Sequence, residues 1–425
     1  MARRERIDTP DGDFLDLDFV DFDQQSQAIT SRSKDKEATV VILHGLESNT
    51  KGPLVTKMTN GFLSKGFSCC LVSFRGCSEE DNRTPGAYHV GFTKDVDFVC
   101  KILQERYSDL ALLWFDKLLL LASTLTTNSS LWLPSLPNPW EGGCSLTIIM
   151  TDSYSRQRYS SFLLNPFFPS LTPDYLIILI ICLNFDRHPS KPLYLSGFSL
   201  GGNICLKFLG ELGDNAIERN IMGGAVFCVP FDTVQCQKKI DVGFNRAVYS
   251  NNFLLSLKKK AERQYLRFGP ANPDFIDIKA IRACNKIGDF DEAFIAKIYG
   301  FKDKNDYYVQ SASKQYLHKI RVPTVAINAI DDPLVDEFSL PTEEKDVGIA
   351  PVRLIYTKHG GHCGYMEAKK KTPHGWISEE LSRVLEHVHT ETANVRSSPS
   401  SPPISITASD YASVSVGAPT STSAV

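Results

Sequence analysis

The sequence predicts an α/β fold, a mostly parallel central sheet flanked by helices, and three observations carry that expectation. First, continuous β-branched runs, ATVVIL at Ala38–Leu43 and FSCCLVSF at Phe67–Phe74, read as strands buried on both faces. Second, helix-period segments alternate with them. Pro53–Lys65 has proline near its start, and Val90–Arg106 carries Phe92, Val96, Val99 and Leu103 at helical spacing. Strand–helix–strand alternation makes βαβ units and hence parallel pairing. Third, Lys191–Asn203 reads KPLYLSGFSLGGN: a short apolar strand runs into Gly197-Phe198-Ser199-Leu200-Gly201 and then into an apolar helix-like segment. That is G-x-S-x-G in strand–turn–helix context, the pattern of a nucleophile elbow.

The glycines in that stretch have a physical job. A turn this sharp strains the serine backbone, and a Cβ two residues before or after it would clash. The strain exposes the Ser199 hydroxyl at the strand's carboxyl end. If Ser199 attacks a carbonyl, two backbone N–H groups must face the developing oxyanion. The strand at Ala38–Leu43 ends in His44-Gly45-Leu46-Glu47, so the N–H groups of Leu46 and Leu200 are the candidates, with an ordinary strand-to-helix turn as the competing reading. His44 is expected to be a structural hydrogen bonder. Arg75, in Arg75-Gly76-Cys77, could position a loop, but surface charge is favoured.

Further strands are expected at Gly223–Val229, Pro323–Asn328 and Val352–Tyr356. Past Pro323–Asn328 come Asp331, Asp332 and Pro333, where an imidazole-orienting carboxylate belongs; Asp332 is preferred to Asp331. Past Val352–Tyr356 comes His359-Gly360-Gly361-His362, and the glycine-framed His362 fits a general base better than His359 does. The order Ser199, Asp332, His362 along the chain distinguishes this arrangement from the other serine hydrolase folds.

The remainder is organised around that core. Before it, Glu5–Phe22 alternates around Pro10-Asp11-Gly12 like a β-hairpin. Residues 231–319 are helical and charged, as a cap would be, and the run Lys258–Lys260 reads as a solvated helix face, with a phospholipid headgroup contact as the alternative. Tyr107–Arg187 fits neither period and holds three of the four tryptophans. It reads as an insertion before the nucleophile strand, either an intron carried in the gene model or a genuine lid or membrane-touching segment. Its densest apolar run, Tyr175–Leu183, is shorter than the roughly 20 residues a spanning helix needs. The expected boundaries are therefore core at 1–106, 188–230 and 320–392, insertion at 107–187, cap at 231–319 and a disordered Ser/Pro/Thr tail at 393–425. A helix at Trp376–His387 closes the core.

With 42% hydrophobic and 22% charged residues and a net charge of -3 over 425 residues, the chain is ordinary globular protein with no pull toward nucleic acid. Its 11 cysteines include no C-x-x-C pair, and the N-terminus lacks a secretory apolar stretch, which together point to reduced thiols in the cytoplasm. No Cys/His ligand cluster or phosphate-binding glycine loop is evident, so no metal and no organic cofactor is expected.

Taken in succession, TPDGDFLDLDF, HGLES, RGCS, SGFSLGGN, AIDDPL and GGHCGYME resemble the α/β-hydrolase-domain family. The branch meant is that of plant embryogenesis-associated hydrolases, bacterial esterase-like proteins and animal membrane-lipid hydrolases. The resemblance covers residues 5–106 and 188–390. It implies an α/β-hydrolase fold, Ser199 as nucleophile, Asp332 or its neighbour as acid, His362 as base, and hydrolysis of carboxylic esters, lipid esters included. An acyltransferase with the same triad, an inactive binding module of this fold, and a chain disabled by its insertion stay open as alternatives. The expected partner is a small-molecule or lipid ester. A peripheral membrane contact stays open, and no protein partner is expected.

Overall fold

The structure is a computed structural model that describes residues 2–22, 36–106, 191–270, 276–367 and 372–396, with side chains to 393. The expected insertion at Tyr107–Arg187 lies outside the described residues, as does the tail beyond 396.

Eight strands among the described residues form one sheet: β1 (Arg3–Asp8), β2 (Phe14–Val20), β3 (Thr39–Leu43), β4 (Ser68–Ser73), β5 (Leu193–Phe198), β6 (Ile221–Phe227), β7 (Thr324–Ala329) and β8 (Val352–Thr357). Their spatial order is β1-β2-β4-β3-β5-β6-β7-β8. The hairpin β1–β2 joins β4 antiparallel, and every pairing from β4 through β8 is parallel. In a parallel array all strands end at the same edge, so the loops after β3, β5, β7 and β8 converge there.

Helix α1 (Pro53–Ser64) and the helix covering residues 94–106, α2, follow β3 and β4. Helix α3 (Leu200–Leu212) follows β5. The cap contains α4 (Thr233–Ile240), α5 (Asn251–Phe268), α6 (Ile278–Ala283) and α7 (Lys304–Ser311), joined by shorter helical turns. Helix α8 (Trp376–Arg396) closes the core. It runs nine residues past the expected end at His387 and into the expected tail. Its face continues that far: Val388 and Thr392 are buried, and the Thr392 hydroxyl donates to the Val388 carbonyl.

One apolar cluster packs α1 (Val55, Met58, Phe62) and α8 (Leu381, Leu385, Val388) onto Val40, Ile42 and Phe227 of the sheet. The cap has its own cluster, with Leu254, Ile281, Phe290, Phe294, Tyr307 and Tyr308. At about 1.5–3 kcal/mol per fully buried large apolar side chain, each cluster is a substantial source of stability. In the hairpin, DFLDLDF sends Leu15, Leu17 and Phe19 into the core. Its acidic residues lie opposite arginines in register, with Arg4 on Asp18 and Arg6 on Asp16. Both pairs are bidentate, at 2.7 and 2.7 Å and at 2.8 and 3.0 Å.

Arg75 departs from expectation. It is buried rather than a surface charge, with Nη1 on Asp11 at 2.6 Å and Nη2 and Nε on Asp95 at 2.7 and 2.9 Å. Asp13, fully buried, also accepts from Asn82, the Arg83 N–H and the Thr84 hydroxyl at 2.6–2.9 Å. This network pins the hairpin turn and α2 to the loop after β4. Its partners lie far apart in sequence, so nothing local marks Arg75 as buried. Among the described residues no helix is long and apolar enough to cross a membrane.

Replacing Arg75 with Met leaves Asp13 and Asp95 buried without their cation. The expected loss is about 3–5 kcal/mol of stability in urea unfolding. Arg75→Lys should recover little, because one ammonium cannot fork between two carboxylates. A loss within the range of surface substitutions would refute the network's role.

Candidate active site

Ser199 sits between β5 and α3 with φ 52° and ψ -125°. The left-handed φ is costly for a residue with a side chain, about 1–3 kcal/mol, and the surroundings enforce it. The Ser199 N–H donates to the Phe227 carbonyl at the end of β6, at 3.0 Å. A Cβ on Gly197 would lie 2.8 Å from the Gly201 backbone, and one on Gly201 would press on the Leu43 and His44 carbonyl oxygens. The glycines thus let the first turn of α3 abut the end of β3.

The hydroxyl so exposed meets an imidazole. His362, in the loop after β8, places Nε2 2.9 Å from Ser199 Oγ and Nδ1 2.8 Å from Asp332 Oδ2. Asp332, buried after β7, accepts from the Leu334 N–H at 2.8 Å and the Val335 N–H at 3.3 Å through its other oxygen. With Nδ1 donating to the carboxylate, the Nε2 lone pair faces the serine. Burial opposes a charged imidazole here, but the hydrogen bond and charge of Asp332, helped by Cys228, raise the His362 pKa above its ordinary 6.5. Asp331 and His359 form a different contact. His359 lies 3.3 Å from Asp331 Oδ2, both exposed, and Asp331 Oδ1 accepts the Gly361 N–H at 2.8 Å. Asp331 therefore ties down the loop that presents His362.

Leu46 and Leu200 both lie on the wall of the cavity that holds Ser199 and His362. Leu200 opens α3, where backbone N–H groups lack intrahelical partners. His44 lies below: the Phe74 N–H donates to Nε2 at 3.3 Å, and Nδ1 donates to the Gly45 carbonyl at 2.8 Å. Burial lowers its pKa to about 4, so it is a neutral hydrogen bonder, as expected.

Glu47 is a group that sequence reasoning missed. Its φ is 53°, and the Tyr88 hydroxyl accepts its N–H at 2.8 Å while donating to its carboxylate at 2.7 Å. From the cap, Lys260 Nζ reaches the same carboxylate at 2.6 Å, and Ser256 donates to its other oxygen. Lys260 is thus not part of a solvated face. It fastens α5 to the loop that carries Leu46. A second cap lysine, Lys239 of α4, donates to the Asp332 and Val335 carbonyls at 3.0 and 2.7 Å.

The cavity measures about 330 Å³, within the range of small-molecule sites. Its walls are largely apolar, with Phe198, Phe253, Leu257, Ile287, Phe290 and Leu334 among them. Asp291 is the carboxylate on that wall: burial pushes its pKa up to about 7, and the Tyr308 hydroxyl donates to it. The absence of any Cys/His cluster, expected from spacing, does not hold in three dimensions. Cys228, His362 and Cys363 come together here, from segments too far apart for spacing to reveal.

No family profile matches the chain. It is similar to "Putative esterase YheT" of Escherichia coli, 25% identical over 379 residues, 89% of this chain and 82% of that one. It is similar to "Phospholipase ABHD3" of Mus musculus, 20% identical over 365 residues, 86% of this chain and 66% of that one. A shorter stretch, 197 residues, is 30% identical to "Monoacylglycerol lipase ABHD2" of Mus musculus and covers 44% of this chain and 45% of that one. This is an α/β-hydrolase-superfamily fold of the esterase and lipase type. The chain is related to bacterial and animal hydrolases of that superfamily.

The Glu47–Lys260 contact generates a test. In Lys260→Met the Glu47 carboxylate keeps its tyrosine and serine but loses its cation. Unfolding in denaturant should show a loss of about 1.5–3 kcal/mol, the range for a hydrogen bond to a charged group, and Lys260→Arg should lose less. Equal stability of Lys260→Met and the parent would mean that the lysine does not hold α5 to the loop.

Proposed function

We propose that the chain is a serine hydrolase of carboxylic esters, acting on lipid or other acyl esters through Ser199, His362 and Asp332. The observation that carries this reading is the continuous hydrogen-bonded line from Asp332 through His362 to Ser199, opening into an apolar cavity. His362 Nε2 takes the Ser199 proton as Oγ attacks the ester carbonyl carbon. The N–H groups of Leu46 and Leu200 hold the resulting oxyanion. The imidazolium then protonates the departing alkoxide, leaving an acyl-serine. Water, deprotonated by the same Nε2, attacks that acyl group, and the proton returns to Ser199 as the carboxylic acid leaves. Asp332 keeps the imidazole oriented and stabilises its cationic form.

A lipid substrate is supported by the apolar cavity and by the phospholipase and monoacylglycerol lipase activities in the names of two relatives. The finer placement, beside plant embryogenesis-associated and bacterial esterase-like hydrolases, rests on the ordered motifs. A cytoplasmic location is supported by the free cysteines among the described residues. The domain limits at 106, 188, 231 and 320 belong to the same reading, with the core continuing to the end of α8 at Arg396.

Fluorophosphonate labelling of the full chain should occur and vanish in Ser199→Ala, with ester turnover falling by roughly 10⁶-fold. Labelling that survives in Ser199→Ala would refute the assigned nucleophile. Adding an alcohol to the assay separates water from an alcohol as acyl acceptor. The pH profile is a second test. The base works only when unprotonated, so kcat/KM should rise with pH through an apparent pKa above 6.5 and then level. In Asp332→Asn the midpoint should move to lower pH while kcat falls by about 10⁴-fold; an unmoved midpoint would remove Asp332 from its role.

A further inference from the structure

We propose that Cys228, Cys363 and His362 form a binding site for a soft divalent metal ion of the zinc class, and that the bound ion switches off hydrolysis by taking the imidazole from Ser199. The second half rests on the function proposed above; the first does not. Each side chain offers one ligand atom, and the three atoms lie within 4.8 Å of one another. Zinc bonds of about 2.3 Å to sulfur and 2.0–2.1 Å to nitrogen put tetrahedral ligands about 3.5–3.8 Å apart, so from 4.8 Å the side chains need to close by at most about 1.3 Å. Two thiols and an imidazole are the donor set that soft and borderline ions select.

The surroundings are those a metal site needs. His362 Nδ1 is held by Asp332 at 2.8 Å, the carboxylate–histidine arrangement that orients ligating imidazoles, which leaves Nε2, now 2.9 Å from Ser199 Oγ, as the nitrogen for which an ion would compete with the serine. Cys228 Sγ accepts the Cys363 N–H at 3.1 Å, a donor that suits a thiolate. His362 and Cys363 line the cavity, which supplies an entry path and room for water as fourth ligand, while Cys228 is buried behind them. Binding releases the thiol protons to solvent and involves no redox change. With its Nε2 lone pair on the metal, His362 cannot accept the Ser199 proton.

The test uses Co²⁺ as a spectroscopic probe on the full-length Ser199→Ala protein, which reads binding without any turnover. Expected are a thiolate-to-cobalt charge-transfer band and the intense visible bands of tetrahedral cobalt, saturating at one ion per chain and abolished by Zn²⁺. Cys363→Ala and, separately, Cys228→Ala should lose the charge-transfer intensity while keeping the parent's circular dichroism. No such band, or a band unchanged in a folded Cys363→Ala, overturns the site. In the parent enzyme Zn²⁺ should inhibit ester turnover, a chelator should restore it, and Cys363→Ala should raise the inhibitory concentration by at least about 10-fold. A band without inhibition overturns the switch. If the parent has no turnover at all, the functional reading fails on its own and the cobalt spectrum still decides the site.

Discussion

The strained turn at Ser199 is the constraint to which the rest of the core is fitted. A left-handed serine with helix on one side and strand on the other is unfavourable by itself. It persists because β5 lies mid-sheet between β3 and β6 and because the Ser199 N–H is held by Phe227. The absence of a Cβ at Gly201 lets the start of α3 rest on the carbonyls that end β3. The same close approach brings Gly45 and Leu46 beside the serine. Parallel pairing does the remainder, since β7 and β8 end at the same edge and deliver Asp332 and His362 to it.

Cap and core each have an apolar cluster, and several contacts joining them are charged or polar. Lys260 on Glu47, Lys239 on the carbonyls around Asp332, and Asn203, whose amide bonds the Val90 and Ser311 carbonyls at 2.8 Å each, all reach loops that border the cavity. A polar contact of this kind has a defined geometry, whereas apolar packing tolerates sliding. The cap is therefore registered by directional bonds on the edge where the parallel strands end.

The low-dielectric surroundings separate the histidines by function. His89, buried among Phe92, Tyr299 and Tyr307, has its pKa lowered to about 3, and His44 to about 4, in both cases by burial first. His362 is also buried, yet Asp332 raises it. Among these three, only the histidine with a buried carboxylate partner can carry a proton near neutrality. The apolar cavity thus supplies the environment, and one carboxylate sets the His362 imidazole apart from the other two.

Read by itself, the sequence determined the strands, their parallel arrangement, the turn at Ser199 and the order of serine, acid and histidine. All of these are local signals: an apolar run, a glycine pair, a turn residue after a strand. It also favoured Asp332 over Asp331 and His362 over His359, from their distance to the strand end and their glycine neighbours; in the structure Asp332 lies 2.8 Å from His362, and Asp331 lies 3.3 Å from His359. Arg75, Glu47, Lys260 and the meeting of Cys228 with Cys363 were decided only by the tertiary structure. A charge is buried, or a thiol acquires a neighbour, through partners tens to hundreds of residues away, and neither periodicity nor spacing records such a partner. The end of α8 belongs with them, because the buried faces of Val388 and Thr392 carry the helix past the point where composition alone turns tail-like.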